Sequence, residues 1–171
     1  MNKPPQPPVE PLSAIRPARP ADVAAVVGLI RELAAYEKLE HLVQATPEAL
    51  MPHLFGPAPV GGCLVAEADG RVVGFALHFT NFSTFLCRPG LYLEDLFVQP
   101  AHRGTGLGRA LLVCLARLAV ARGCGRFEWS VLDWNLPAQR FYERLGATVM
   151  PDWRICRVAG DALNRLAARP G

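Results

Sequence analysis

Apolar residues recur at helical spacing from Ala21 to about Tyr36, where Val23, Val26, Val27, Ile30, Leu33 and Ala34 share one side. A short strand at Ile15 to Pro17 precedes that helix, with a turn at Pro20. Thr46-Pro47-Glu48 combines an N-cap, a first-turn proline and an acid, so a second helix is expected to about Leu54. Gly56, Pro57 and Pro59 end it. Gly62 to Ala68 and Arg71 to Phe79 read as strands, and Asp69-Gly70 between them is a hairpin turn. Asn81 to Gly90 reads as a loop, and Leu91 to Val98 as a fourth strand. A long helix follows from about Gly106 to Arg122, with Leu107, Leu111, Leu112, Leu115 and Leu118 along one face. Arg126 to Leu132 is a fifth strand. Asn135 caps a further helix that has Pro137 in its first turn and Gly146 past its end. A last strand is expected around Trp153 to Ala159. The order β-α-α-β-β-β-α-β-α-β predicts an α/β or α+β sheet with helices on both faces.

Composition narrows the class. The first eleven residues hold five prolines, so 1–13 is expected to be a flexible tail and 14–171 a single domain. No signal peptide is expected, and the longest apolar run, Ala110 to Ala121, is too short for a membrane span and contains Arg117. A net charge of +3 suits a protein handling an anionic cofactor and disfavours nucleic-acid binding. Cys63, Cys87, Cys114, Cys124 and Cys156 are scattered without CxxC spacing, as expected of reduced thiols, mostly in the core, in a cytoplasmic protein. No metal site is expected, because His41, His53, His78 and His102 also lack ligand spacing.

The chemistry concentrates between Leu91 and Arg109, LYLEDLFVQPAHRGTGLGR. Glycines in Arg103-Gly104-Thr105-Gly106-Leu107-Gly108 let backbone turn tightly and approach a ligand closely. Free N–H groups at the following helix start favour a phosphate. A Walker A loop is excluded, since no GK[ST] follows. A dinucleotide turn fits less well, because the spacing is GxGxG and five residues separate strand from glycines. A coenzyme A diphosphate loop fits the run [R/Q]xxGxG. On the strand, Glu94 and Asp95 are adjacent and so should point to opposite faces. Asp95 is expected to be structural, paired with an arginine.

The run Val98 to Gly108 resembles the acetyl-CoA loop of the GNAT superfamily of N-acetyltransferases. Asn135-Leu136-Pro137-Ala138-Gln139-Arg140-Phe141-Tyr142-Glu143-Arg144-Leu145-Gly146 resembles its second signature, N-x-x-A-x-x-x-Y-x-x-x-G. Ile30 to Glu37, Leu91 to Val98 and Trp134-Asn135 are in turn similar to the spermidine/spermine (diamine) N-acetyltransferase family. The resemblance implies a GNAT fold, with a mixed central sheet, splayed parallel strands and helices on both faces. It implies acetyl-CoA as cosubstrate. The pantetheine arm would run along Leu96, Phe97 and Val98, and the diphosphate would lie on Arg103, Gly104, Thr105, Gly106, Leu107, Gly108 and Arg109. Asn135 and Ala138 match positions that touch the coenzyme arm.

Tyr142 matches the tyrosine that protonates the departing thiolate. It lies seven residues after Asn135, on the same helix face. Glu94 matches the carboxylate that accepts the amine proton, a step needed before an amine can attack a thioester. Tyr36, Glu37, Glu128, Trp129 and Ser130 match substrate-facing positions, and Trp153 is a further aromatic wall. The expected function is acetyl transfer to a primary amine of a polyamine, a diamine or a lysine-like amino acid, by direct attack in a ternary complex. A protein or peptide acetyltransferase and a non-catalytic acetyl-CoA-binding module are the alternatives. The family implies a homodimer.

Overall fold

The computed structural model describes residues 14–170, so the expected tail at 1–13 lies outside the described residues. The elements run β1 (Ile15–Pro17), α1 (Val23–Glu37), α2 (Pro47–Phe55), β2 (Gly62–Ala68), β3 (Arg71–Ser83) and β4 (Arg88–Val98). They continue with α3 (Leu107–Ala121), β5 (Arg126–Trp129), α4 (Leu136–Glu143) and α5 (Asp161–Ala167). Two units separate, one ending at Ser130 and one beginning at Val131.

In the first unit the strands form a sheet in the order β1-β2-β3-β4-β5. All neighbours are antiparallel except β4 and β5, which are parallel. The mixed α/β sheet expected from the sequence is therefore present. Val26 and Leu29 of α1 and Leu54 of α2 pack on Cys63, Val65, Phe75 and Phe97 of one sheet face. On the other face Leu64, Ala66, Ala76, Leu91 and Leu93 are buried, and α3 packs across all five strands. Period-two strands with both faces apolar suit this two-sided cover.

Local chemistry explains the boundaries. The Asp22 carboxylate accepts the Arg19 N–H at 2.7 Å and both guanidinium arms of Arg16, at 2.6 and 2.9 Å. Arg16 also reaches Glu67 at 2.5 Å, so one cation ties β1 and β2 to the start of α1. Arg16 holds the Asp22 carboxyl below its ordinary range. The hairpin turn has positive φ at both Asp69 and Gly70, the type that Asp-Gly favours. Thr46 caps α2 by accepting the Ala49 N–H at 3.2 Å.

Four expectations are corrected. The region 81–90 is not a loop: β3 and β4 stay paired through Asn81↔Gly90, Phe82↔Pro89 and Ser83↔Arg88, leaving only 84–87 as the connection. Pro89 and Gly90 read as breakers, but Gly90 sits where the Asn81 side chain would collide with any Cβ. The fifth strand stops at Trp129 rather than Leu132. In the second unit, 153–159 is not a strand. Trp153, Ile155 and Val158 are exposed, and no strand pairs with them among the described residues; alternation without a ladder partner does not make a strand. Cys63 and Cys114 are buried, but Cys87 and Cys156 are exposed, so the thiols are not mostly core.

Candidate active site

The site is built on the second half of β4. Gln99 N–H donates to Val73 O at 2.9 Å, which marks 73 and 99 as a hydrogen-bonded pair. Antiparallel pairs alternate, so Asp95 and Phe97 turn their backbone groups to β3, while Leu96 and Val98 turn theirs away. On that far side, pairing with β5 ends at Leu93↔Trp129. Leu96 and Val98 thus present N–H and C=O groups to a side where no strand pairs with them among the described residues. The Val98 carbonyl accepts Arg103 Nε at 3.0 Å. Such an edge can take an extended ligand carrying amide groups.

The edge runs into the glycine turn. Gly104 and Gly106 have φ of +78° and +93°, and a Cβ at either would meet nothing within 4 Å. Conformation rather than space requires glycine there. Thr105 Oγ1 donates to His102 O at 2.7 Å. Gly106 begins α3 without a side-chain cap, so Leu107, Gly108 and Arg109 offer first-turn N–H groups to a ligand. A 15-residue helix aims its positive end at that point, with the Arg109 side chain adjacent in sequence.

The carboxylates lie upstream on the same strand. The β3–β4 register slips between Leu77 and His78: Leu77 faces Asp95, and His78 faces Leu93. Glu94 is therefore the extra residue of a β-bulge, and it is exposed. The bulge breaks strict alternation, placing Leu93 on one face and Asp95, with Phe97, on the α1 face. Asp95 has no ion-pair partner among the described residues, which corrects the expected arginine contact. Burial, then the charges of Glu94 and Glu37, push its carboxyl up to about 6. Burial also raises Glu37, the last residue of α1.

Tyr36, one residue earlier, lies beneath Arg103, whose guanidinium carbon is 4.9 Å from the ring centroid. Phe97 is on the same guanidinium at 5.4 Å. Glu128 is ion-paired with Arg126 at 2.8 Å and accepts Asn81 Nδ2 at 3.3 Å. The Ser130 hydroxyl shares a 2.8 Å hydrogen bond with Tyr92. Trp129 stacks near Phe127, with centroids 4.9 Å apart.

In the second unit, Asn135 caps α4 by accepting the Ala138 N–H at 3.4 Å. Gln139 Nε2 donates to the carbonyls of Leu132 and Asp133 at 3.1 and 3.0 Å, fixing the approach to the cap. Tyr142 lies in the last turn of α4, its ring 5.3 Å from that of Phe141. Trp153 sits in the exposed segment before α5.

The sequence profile of the Acetyltransferase (GNAT) family matches residues 29–147. The chain belongs to the GNAT acetyltransferase family. The match spans the open β4 edge, the glycine turn and α4, so this GNAT chain is an N-acetyltransferase. It is 41% identical over 155 residues to the thialysine N-epsilon-acetyltransferase of Mus musculus, covering 84% of this chain and 91% of that protein. It is 47% identical over 98 residues to the L-ornithine N5-acetyltransferase NATA1 of Arabidopsis thaliana, covering 57% of this chain and 43% of that one. Among solved structures, an integron cassette protein from the mobile metagenome of V. cholerae superimposes with a TM-score of 0.76. The two are 28% identical, with 91% of this chain and 97% of that chain covered.

Among the described residues of this GNAT enzyme, no cluster of His, Cys, Asp or Glu is arranged to hold a metal. No described helix is long and apolar enough to cross a membrane. Two features have no signal in the sequence. The environment of Asp95 depends on a bulge that has no sequence signature. The Arg103–Tyr36 contact joins residues far apart in the chain, and no local pattern marks it.

Proposed function

We propose that the enzyme transfers the acetyl group of acetyl-CoA to a primary amine of a small cationic acceptor, by direct attack while both substrates are bound. The acceptor class is a polyamine, a diamine or a lysine-like amino acid. The observation that carries this is the open β4 edge at Leu96 and Val98 leading directly into the uncapped glycine turn of α3. An extended amide-bearing arm ending in a diphosphate fits that succession of free backbone groups and helix N-terminus. When bound, acetyl-CoA supplies an activated thioester.

The rest falls to the chain's own residues. Leu96 and Val98 would orient the arm, and the Gly104 to Arg109 backbone would hold the diphosphate. Asp95, Glu94 and Glu37 set a negative field that favours an ammonium-bearing acceptor, since Asp95 is raised partly by its two acidic neighbours. Glu94, exposed on the bulge, accepts the proton that the ammonium must lose, directly or through water. Tyr142 donates the proton that a departing thiolate needs. A lysine-like acceptor is favoured, because the names of the mouse and Arabidopsis relatives both denote a side-chain amine of an amino acid. Burial pushes the Cys63 thiol up to about 12, so it is a poor acetyl carrier, which favours direct transfer.

The test is Tyr142→Phe. Turnover should fall by about 10- to 1,000-fold, the range of a lost general acid, with acetyl-CoA affinity nearly intact. Unchanged turnover would remove Tyr142 from the acid role.

A further inference from the structure

Two side-chain bridges join α1 to the segment that leads into the glycine turn. Glu32 and Tyr36 lie one helical turn apart, on one face of α1. Gln99 Nε2 donates to Glu32 Oε1 at 2.8 Å, and Arg103 stacks on Tyr36 at 4.9 Å. Gln99 and Arg103 bracket the 3-10 turn Pro100–His102, so that turn is held to α1 at both ends.

Arg103 does three things at once. Its Nε holds the Val98 carbonyl at the end of the open edge, and its plane covers Tyr36 and Phe97. Its own backbone leads into the left-handed residue Gly104. A planar guanidinium can combine a directed N–H bond with stacking on rings, which a lysine ammonium does not reproduce. Tyr36 directly precedes Glu37, one of the acids on the acceptor side.

We propose that Arg103 is a positioning residue that couples the acceptor end of α1 to the coenzyme turn, with Tyr36 as its partner. The proposal rests on the acetyl-transfer reading above. A shift of Tyr36 would move Arg103, and with it both the Val98 carbonyl and the start of the glycine turn. By linkage, a turn settled by the coenzyme would in return hold the acceptor end of α1 in place.

The experiment is a double-mutant cycle on acetyl-CoA affinity, measured by calorimetric titration of wild type, Tyr36→Leu, Arg103→Gln and the double variant. Thermal midpoints identify any variant that fails to fold. Tyr36→Leu should weaken acetyl-CoA binding by about two- to fivefold, the effect of losing an exposed cation–π contact. In the Arg103→Gln background the same change should have almost no further effect. Tyr36→Phe, which keeps the ring, should recover most of the loss. An unchanged affinity in Tyr36→Leu, or an equal loss in both backgrounds, overturns the coupling. If Tyr36→Leu does not fold, Tyr36→Met replaces it in the same cycle with Arg103→Gln, with the same two outcomes. Failure of the acetyl-transfer reading is distinguishable, because wild type would then bind no acetyl-CoA in the titration or, binding it, release no CoA on any amine, whatever the cycle shows.

Discussion

At the scale of single residues, Asp95 is the most consequential side chain. Its carboxyl titrates near 6 instead of 3.8, because burial and two neighbouring acids disfavour the charge. The folded state therefore holds the proton more tightly than the unfolded chain does. Stability from this group is fully present below about pH 4 and is lost as pH rises through about 6. At neutral pH the ionised Asp95 is a cost to folding. Asp95→Asn cannot ionise and should gain about 1–2 kcal/mol over wild type at pH 8, with the gain shrinking toward pH 4. Urea unfolding at the two pH values checks this; a gain independent of pH, or a loss at pH 8, contradicts it. Sequence alone assigned Asp95 to a structural pair with arginine. The bulge at Glu94 puts Asp95 on the opposite face from Leu93, which strict alternation does not anticipate and only the register shows.

At the scale of elements, the joint between β4 and α3 carries the coenzyme reading. Gly106 has φ +93° and opens the helix without a side-chain cap. A Cβ there costs about 1–2 kcal/mol in a left-handed conformation. Gly106→Ala should show that cost as weaker acetyl-CoA binding if the turn relaxes, or as a lower thermal midpoint if it does not. Titration calorimetry and thermal melts read both, and no change in either contradicts the role assigned to the turn. This joint was legible in the sequence, because glycine spacing and leucine periodicity in α3 are local signals. So were the Thr46 and Asn135 caps and the Asp69-Gly70 turn. The strand pairing through 81–90 was hidden by Pro89 and Gly90, whose meaning depends on the partner strand. The missing strand at 153–159 is the converse case, an alternating pattern without a ladder.

At the scale of the whole molecule, one strand divides the labour. Toward β3, β4 is paired along its length except at the Glu94 bulge and anchors the core through Phe97; away from β3, no described strand pairs with its last residues. In the second unit, Asn135 caps α4 and Tyr142 lies in its last turn. Family and enzyme class were legible because two local motifs carry them. The acceptor was less so, because Glu37 lies far along the chain from Glu94 and Asp95, and only the fold brings its charge to theirs. Glu128, expected from the resemblance to face the substrate, is ion-paired with Arg126. The most direct measurement is release of CoA from acetyl-CoA by the purified chain over a panel of lysine-like amino acids, diamines, polyamines and peptides. Mass spectrometry identifies any acetylated product. Turnover is expected on small molecules carrying a primary amine, strongest for lysine-like amino acids. Tight acetyl-CoA binding with no turnover on any small amine, or turnover on peptides alone, would contradict it.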